Sequence, residues 1–508
     1  MKKQVRILLS ILLVLTLLTA CIPTQVSPAA SLSASSDQIT AARTPSSTMS
    51  VSADMAAKPP KYIFLFIGDG MSFAQVNAAQ IMLGSLKGKI AQEPLSFTGF
   101  PTMGCAYTCD STSYIPDSAA AGTAIACGVK TKSGTIGLTA DLAMAPNISE
   151  LLRATGKRIG VVSSVTLNNA TPAAFYAHID SRRNEYEIAQ QMAVSGVDYF
   201  GGGGLASVTG SGGDSVNAFT LLEENGYTIA DTTEEIAALS GSSGKAYAVS
   251  PALDSGGAMP FMLDAEQDAL TLADFVRTGI EVLDNDNGFF MMCESGKVDW
   301  ACHANDAASA IGEVQALSDA VQAALDFAEQ HPDETLILVT ADHETGGMAL
   351  GNTVNGYGTH FELLAAQTMS YSAFTARFTA MKKESLTLAD VLPLIREAFG
   401  VGAPGDSAAA VTLTDEEYVH LKAAFAQSML PKAQRDSSAG AALLYGSYEP
   451  LTVTLTHLLD THAGIGWTSF VHTAMPVPVY ACGVYADQFG GVYDNTEIFA
   501  RLAKACGL

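Results

Sequence analysis

From Glu294 to His303 the chain reads ESGKVDWACH, a short segment dense in groups that bind metal ions. If the stretch from Asp299 is helical, Asp299 and His303 stand four apart on one face and reach a single cation, while Glu294 just upstream reaches a second. A solvated helix start with an incidental histidine fits the same residues. Asp342-His343, in TADHETGG, sets a carboxylate beside an imidazole. In a strict strand the two would face opposite ways, and Gly346 and Gly347 permit a turn that brings both to one ion. An N-cap aspartate with a neighbouring histidine is the alternative. Asp117-Ser118-Ala-Ala-Ala-Gly opens a small-residue helix. A serine there sits where backbone N–H groups and the helix dipole stabilise an alkoxide or a phosphate, although taken alone it reads first as an ordinary cap. No Gly-x-Ser-x-Gly elbow surrounds it, which disfavours a Ser-His-Asp hydrolase.

These residues need elements to position them. Tyr62–Ile67 is a continuous apolar run, and the same signature recurs at Arg158–Ser163, Gly288–Cys293, Thr335–Thr340 and Val477–Ala481. Runs apolar on every side suit strands buried on both faces of a parallel sheet. Helical stretches separate them, Ala307–Gln330 being one long Ala-rich example. The alternation predicts an α/β sandwich, three layers with a mostly parallel central sheet. Ligands in such sheets bind beyond the carboxyl ends of the strands. Asp69 follows the first run, Asn168-Asn169-Ala170-Thr171 the second, Glu294 the third and Asp342-His343 the fourth. Each is ordinary by itself; together they predict one multi-metal site on one edge of the sheet. The stretches around 205–280 and 360–450 are patterned more weakly and read as insertions or peripheral helices.

The 508 residues are nearly half hydrophobic, enough for a large core, and carry a formal net charge of -24. That charge repels nucleic acid, which is excluded as a partner. It also repels phosphate, so any phosphate site needs strong local positive charge, and metal ions are its source. Lys2, Lys3 and Arg6 precede an apolar run from Ile7 to Leu18, and Leu18-Thr-Ala-Cys21 resembles a bacterial lipobox. Residues 1–20 are therefore read as a lipoprotein signal peptide. Cys21 is the lipidation site, and 21–58, rich in Ser, Ala, Thr and Pro, is a disordered tether. The folded part is expected over 59–508, exported and held by its lipid on the outer or periplasmic side of a bacterial membrane. Of the eight cysteines, Cys105 and Cys109 are near enough in sequence to bridge.

Taken in order, Asp69 in a Gly-Asp-Gly-Met context, Asp117-Ser118-Ala-Ala, Ala170-Thr171-Pro-Ala, Glu294 with Asp299 and His303, Asp342-His343 and His472-Thr473 resemble the alkaline phosphatase family. The resemblance spans about 59–508 and implies that family's fold. It implies two Zn2+ and one Mg2+. Asp299, His303 and His472 would hold the first zinc, and Asp342, His343 and Asp69 the second, facing Ser118. Asp69, Thr171 and Glu294 would hold magnesium. Arg182, eleven residues after Thr171, matches the phosphate-binding arginine, whose planar fork can hold two oxygens. The implied activity is hydrolysis of small phosphate monoesters through a phosphoserine on Ser118; for an exported protein, phosphate scavenging is the expected role. A homodimer is carried as an open expectation.

Two positions depart from the family's best-known bacterial form. Asn169 stands where an aspartate precedes Ala-Thr-Pro, and Trp300 where a lysine follows the zinc-ligand aspartate. One removes a negative charge and the other a positive one, and Trp300 is placed to cover the rim instead. The alternatives are a phosphodiesterase or sulfatase sibling, or a non-catalytic phosphate-binding lipoprotein. Ser118 is followed by Ala-Ala-Ala and not by a sulfatase Cys/Ser-x-Pro-x-Arg, and diesterase siblings generally carry threonine as nucleophile.

Overall fold

The computed structural model describes residues 58–508. The signal peptide, Cys21 and all of the tether but its last residue lie outside the described residues. Ten strands form one sheet: β1 (Tyr62–Gly68), β2 (Thr102–Tyr107), β3 (Arg158–Ser163), β4 (Tyr199–Gly202), β5 (Tyr227–Ala230), β6 (Lys245–Val249), β7 (Phe289–Ser295), β8 (Thr335–Thr340), β9 (Val477–Gly483) and β10 (Gly491–Asp494). Their spatial order is β10-β2-β9-β8-β1-β7-β3-β4-β6-β5. Only β9 runs antiparallel to its neighbours, β2 and β8.

All five predicted strands are present. Every residue of β1, β7 and β8 is buried, which requires a helical layer on each face. The helices Phe73–Leu86 and Leu272–Leu283 pack on the long helix Ala307–Ala328, while Ala170–Ala173 and Thr496–Ala505 pack on Ser118–Cys127. Ala307–Ala328 and Ser118–Cys127 are rich in alanine, and such small side chains let a helix lie close to its neighbours. The three-layer, mostly parallel expectation holds.

Part of 205–280 is not an insertion. β5 and β6 extend the main sheet at its edge. They escape sequence reading because they are only four and five residues long, and edge strand β5 exposes part of one face, so neither makes a long apolar run. The stretch 360–450 is largely peripheral helix, as expected. Cys105 and Cys109 do not bridge: all seven cysteines from Cys105 onward are free. Cys105 sits within β2, paired in backbone register with Pro478, and Cys109 lies in the loop beyond that strand.

Among the described residues no helix is long and apolar enough to cross a membrane.

Candidate active site

The strands singled out by sequence for the residues that follow them are four consecutive neighbours, β8-β1-β7-β3. Their register aligns Ile67 with Thr340 on one side and Glu294 on the other, and Glu294 with Ser163. Asp69, Glu294, Asp342 and the loop to Thr171 are therefore delivered to one edge. Backbone shape keeps them close. Gly70 has φ +74°, and a Cβ there would stand 2.9 Å from Asp299 Cα, so only glycine lets the loop after β1 lie against the helix Lys297–His303.

Asp299 and His303 lie on that helix. With His472 they present ligand atoms within 4.8 Å of one another, and Asp69, Asp342 and His343 form a second such group. In the first, His303 Nε2 lies 3.1 Å from His472 Nε2 and 3.4 Å from Asp299 Oδ1. His303 Nδ1 is 2.7 Å from the Phe470 carbonyl and His472 Nδ1 2.8 Å from that of Pro116. A carbonyl only accepts, so each Nδ1 carries the hydrogen and each neutral ring turns a bare Nε2 lone pair inward. Two lone pairs at that separation repel unless a cation lies between them, and a carbonyl holding Nδ1–H is how ligating histidines are oriented. Thr345 Oγ1 donates to Asp299 Oδ1 at 2.5 Å.

The second group is fully buried. His343 Nε2 is 3.2 Å from Asp342 Oδ2 and 3.5 Å from Asp69 Oδ1, and Ser118 Oγ approaches the same nitrogen at 3.2 Å. Asp342 Oδ1 accepts from the Gly70 and His343 N–H groups. The chain bends at Asp342 after β8, which lets Asp342 and His343 serve one group, whereas the turn at Gly346 and Gly347 follows the short strand Glu344–Thr345. Asp69 Oδ1, Asp342 Oδ2 and Thr171 Oγ1 are buried without a hydrogen-bond partner. Unsatisfied buried oxygens cost free energy that a bound cation would remove.

The electrostatics agree. Burial, then Asp342, Asp299 and Glu294, hold Asp69 well above the usual carboxylate range. Burial, then Asp299, pushes Asp342 up to about 7. Burial pushes Glu294 to about 7 against the pull of Ser163, Thr171 and Asp69 beside it. His343 is held well below its ordinary value by burial, then by His472 and His303. Four crowded carboxylates with one nearby guanidinium form a centre that lacks positive charge. Oxygen and imidazole donors, unsatisfied and convergent, fit divalent cations.

Ser118 is the first residue of the helix Ser118–Cys127; the cap is Asp117, whose carboxylate accepts from Ala120 N. Asp117 also receives Arg182 Nη1 at 3.2 Å, while Arg182 Nη2 donates to Asn169 Oδ1 at 3.1 Å. Asn169 thus aims the guanidinium as a neutral acceptor and caps Ala170–Ala173 through Ala170 N. Trp300 is half-buried, with its ring 5.5 Å from the ammonium of Lys297.

Sequence reading missed Asp117, Thr345 and Lys297. Asp117 and Thr345 stand inside the quoted motifs but were given no role of their own. Lys297, fully buried and bonded to Asp254 and the Met259 carbonyl, gave none, because its partners lie some 40 residues upstream.

A family model for alkaline phosphatase matches residues 60–201 and 206–508. Alkaline phosphatase 3 of Bacillus subtilis (strain 168) is 30% identical over 455 residues, covering 88% of each chain. The solved structure of a cold-active alkaline phosphatase from Shewanella sp. superposes with TM-score 0.72 at 26% identity, over 88% of this chain and 99% of that one. A variant of the alkaline phosphatase from the Antarctic bacterium TAB5, with Mg bound in its M3 site, matches with TM-score 0.60 at 26% identity, over 89% and 99%. With the fold, the two ligand groups and these matches together, the chain belongs to the alkaline phosphatase family, metal-dependent phosphoric monoester hydrolases.

Proposed function

We propose that this chain hydrolyses small phosphate monoesters through a phosphoserine on Ser118, with two zinc ions and one magnesium ion as cofactors. The observation that carries it is the placement of Ser118 Oγ against the buried group of Asp69, Asp342 and His343, next to a second group of Asp299, His303 and His472. Each group would hold one zinc. Asp69 would be shared with a third ion held also by Thr171 and Glu294, three oxygen donors that suit magnesium. Bound there, the cations supply positive charge that acidifies the serine hydroxyl and the attacking water and screens the phosphate.

Arg182, aimed by Asp117 and Asn169, grips non-bridging oxygens and fixes phosphorus in front of Ser118. Ser118 Oγ, having lost its proton, attacks phosphorus; the bond to the leaving oxygen breaks and the alcohol departs protonated. Burial of Ser118 keeps bulk water off the nucleophile. A water then attacks from the side the alcohol left, the bond to Ser118 Oγ breaks, and inorganic phosphate is released with Ser118 reprotonated.

The test is hydrolysis of a chromogenic monoester at alkaline pH, before and after chelation and metal return, beside a diester and a sulfate ester. Acid quenching followed by peptide mass analysis should find phosphate on Ser118. A preference for diester or sulfate, or a phosphate-free Ser118, would overturn the reading.

Export and lipid anchoring at Cys21 belong to the same proposal and rest on the Leu18–Cys21 sequence. Labelling with a radioactive fatty acid should be lost in Cys21→Ala. A scavenging role predicts expression that rises when phosphate is scarce, and sedimentation of the purified chain tests for a homodimer.

A further inference from the structure

Asn305 sits two residues beyond His303, 1% exposed and in the left-handed backbone region at φ +50°. An asparagine there is an accepted helix stop, and a stop needs only the backbone. The side chain does more. Its Nδ2 donates to the Cys302 carbonyl at 2.8 Å and to the Ser469 carbonyl at 2.9 Å. Both amide hydrogens are thereby used and the flip is fixed, so Oδ1 must accept. It does, from His457 Nε2 at 2.9 Å. The His457 ring lies over that of Phe470, with centroids 5.6 Å apart and planes 23° apart.

The two carbonyls belong to different parts of the site. Cys302 adjoins His303 on the helix. Ser469 adjoins Phe470, whose carbonyl orients His303, and lies three residues before His472. One amide thus joins the segment that carries one imidazole to the segment that carries the other and orients the first. His457 contributes at both points, as donor to the amide and as a plate against Phe470.

We propose that Asn305 is a positioning residue for His303 and His472, and that His457 holds it in register. The inference rests on the reading of Asp299, His303 and His472 as ligands of one cation. Loss of the clamp should let the 468–472 loop relax from the helix and splay the two Nε2 atoms. Outer partners of metal ligands typically contribute about 10–100-fold in affinity.

The test uses the purified full chain, stripped of metal, titrated with zinc alone against a competing chromophoric chelator. Asn305→Gly keeps, and by its backbone preference favours, the left-handed stop while deleting the amide. His457→Phe keeps a ring on Phe470 while deleting the donor. Each should weaken one of two zinc affinities by about 10–100-fold and leave the other nearly unchanged. Unchanged zinc affinities in Asn305→Gly would reduce Asn305 to a helix stop and overturn the proposal. Equal weakening of both zincs in either variant would show general packing and also overturn it. Should Asn305→Gly not fold, His457→Phe decides by the same criteria. A wild-type chain that binds no zinc would instead sink the metal-centre reading itself.

Discussion

Ser118 Oγ lies 3.2 Å from His343 Nε2, and that same nitrogen stands 3.2 Å from Asp342 Oδ2 and 3.5 Å from Asp69 Oδ1. A Ser-His pair suggests a general base taking the serine proton. The geometry argues otherwise. One ring nitrogen cannot serve three oxygens, and burial with two further imidazoles nearby makes this histidine a poor proton acceptor. Three oxygens and one nitrogen turned toward a common point describe a cation's surroundings.

Chelation decides between the two. A Ser-His mechanism needs no metal, so turnover would survive a strong chelator. Activity should instead fall to background and return only when zinc and magnesium are added together. Ser118→Ala should lose nearly all turnover, by a factor of about 10⁴ or more, while zinc content by elemental analysis stays that of the wild type. Full turnover in Ser118→Ala would remove it as nucleophile.

Much of this centre was legible because several of its candidate ligands follow strands made of unbroken apolar runs, as Asp69 does after Tyr62–Gly68 and Asp342 after Thr335–Thr340. The unbroken runs placed those strands, and the parallel-sheet rule placed their ends together. What stayed hidden depends on contacts between distant segments. Lys297 meets Asp254 across 43 residues and Asn305 meets His457 across 152, and no local pattern marks such a pair. Strands of four or five residues, such as Tyr227–Ala230 and Lys245–Val249, carry too few residues for a period to show.

Arg182 is aimed by two side chains of different charge, Asp117 and Asn169. Asn169→Asp would surround the guanidinium with a second carboxylate and weaken its hold on phosphate. The expected result is a higher KM and a higher inhibition constant for inorganic phosphate, by about tenfold for each 1.4 kcal/mol lost, with kcat equal or raised where phosphate release limits turnover. Arg182→Ala should move both constants the same way and further. Unchanged phosphate inhibition in both variants would show that Arg182 does not touch phosphate.

Gly70 separates the loop after β1 from Asp299. Gly70→Ala would place a Cβ 2.9 Å from Asp299 Cα in a backbone region that disfavours alanine. The expected cost is about 1–3 kcal/mol, read as a lower melting temperature. Because the displaced neighbour is a proposed zinc ligand, zinc affinity should fall as well. A variant with wild-type melting and zinc content would mean that the loop can move aside.

Away from the centre, His178 Nε2 lies 3.0 Å from Glu150 Oε1, and its Nδ1 is 2.7 Å from the Gly137 carbonyl. The Glu150 hydrogen bond raises the histidine above its ordinary value, against burial. Glu150 is lowered despite its own burial, chiefly by His178 and the Asn147 N–H. The signs set a window. The raised histidine contributes stability that is complete below its unfolded value of 6.5 and is lost as pH rises through its folded value. The lowered carboxylate contributes above its unfolded value of 4.5 and fails as pH falls through its folded value. The ion pair therefore supports the fold best between those two values and is spent at alkaline pH. His178→Gln should lower the melting temperature more at pH 6 than at pH 9. Glu150 is more than a third exposed, so solvent screening keeps the difference to a few degrees or less. An equal drop at both pH values would assign His178 a packing role alone.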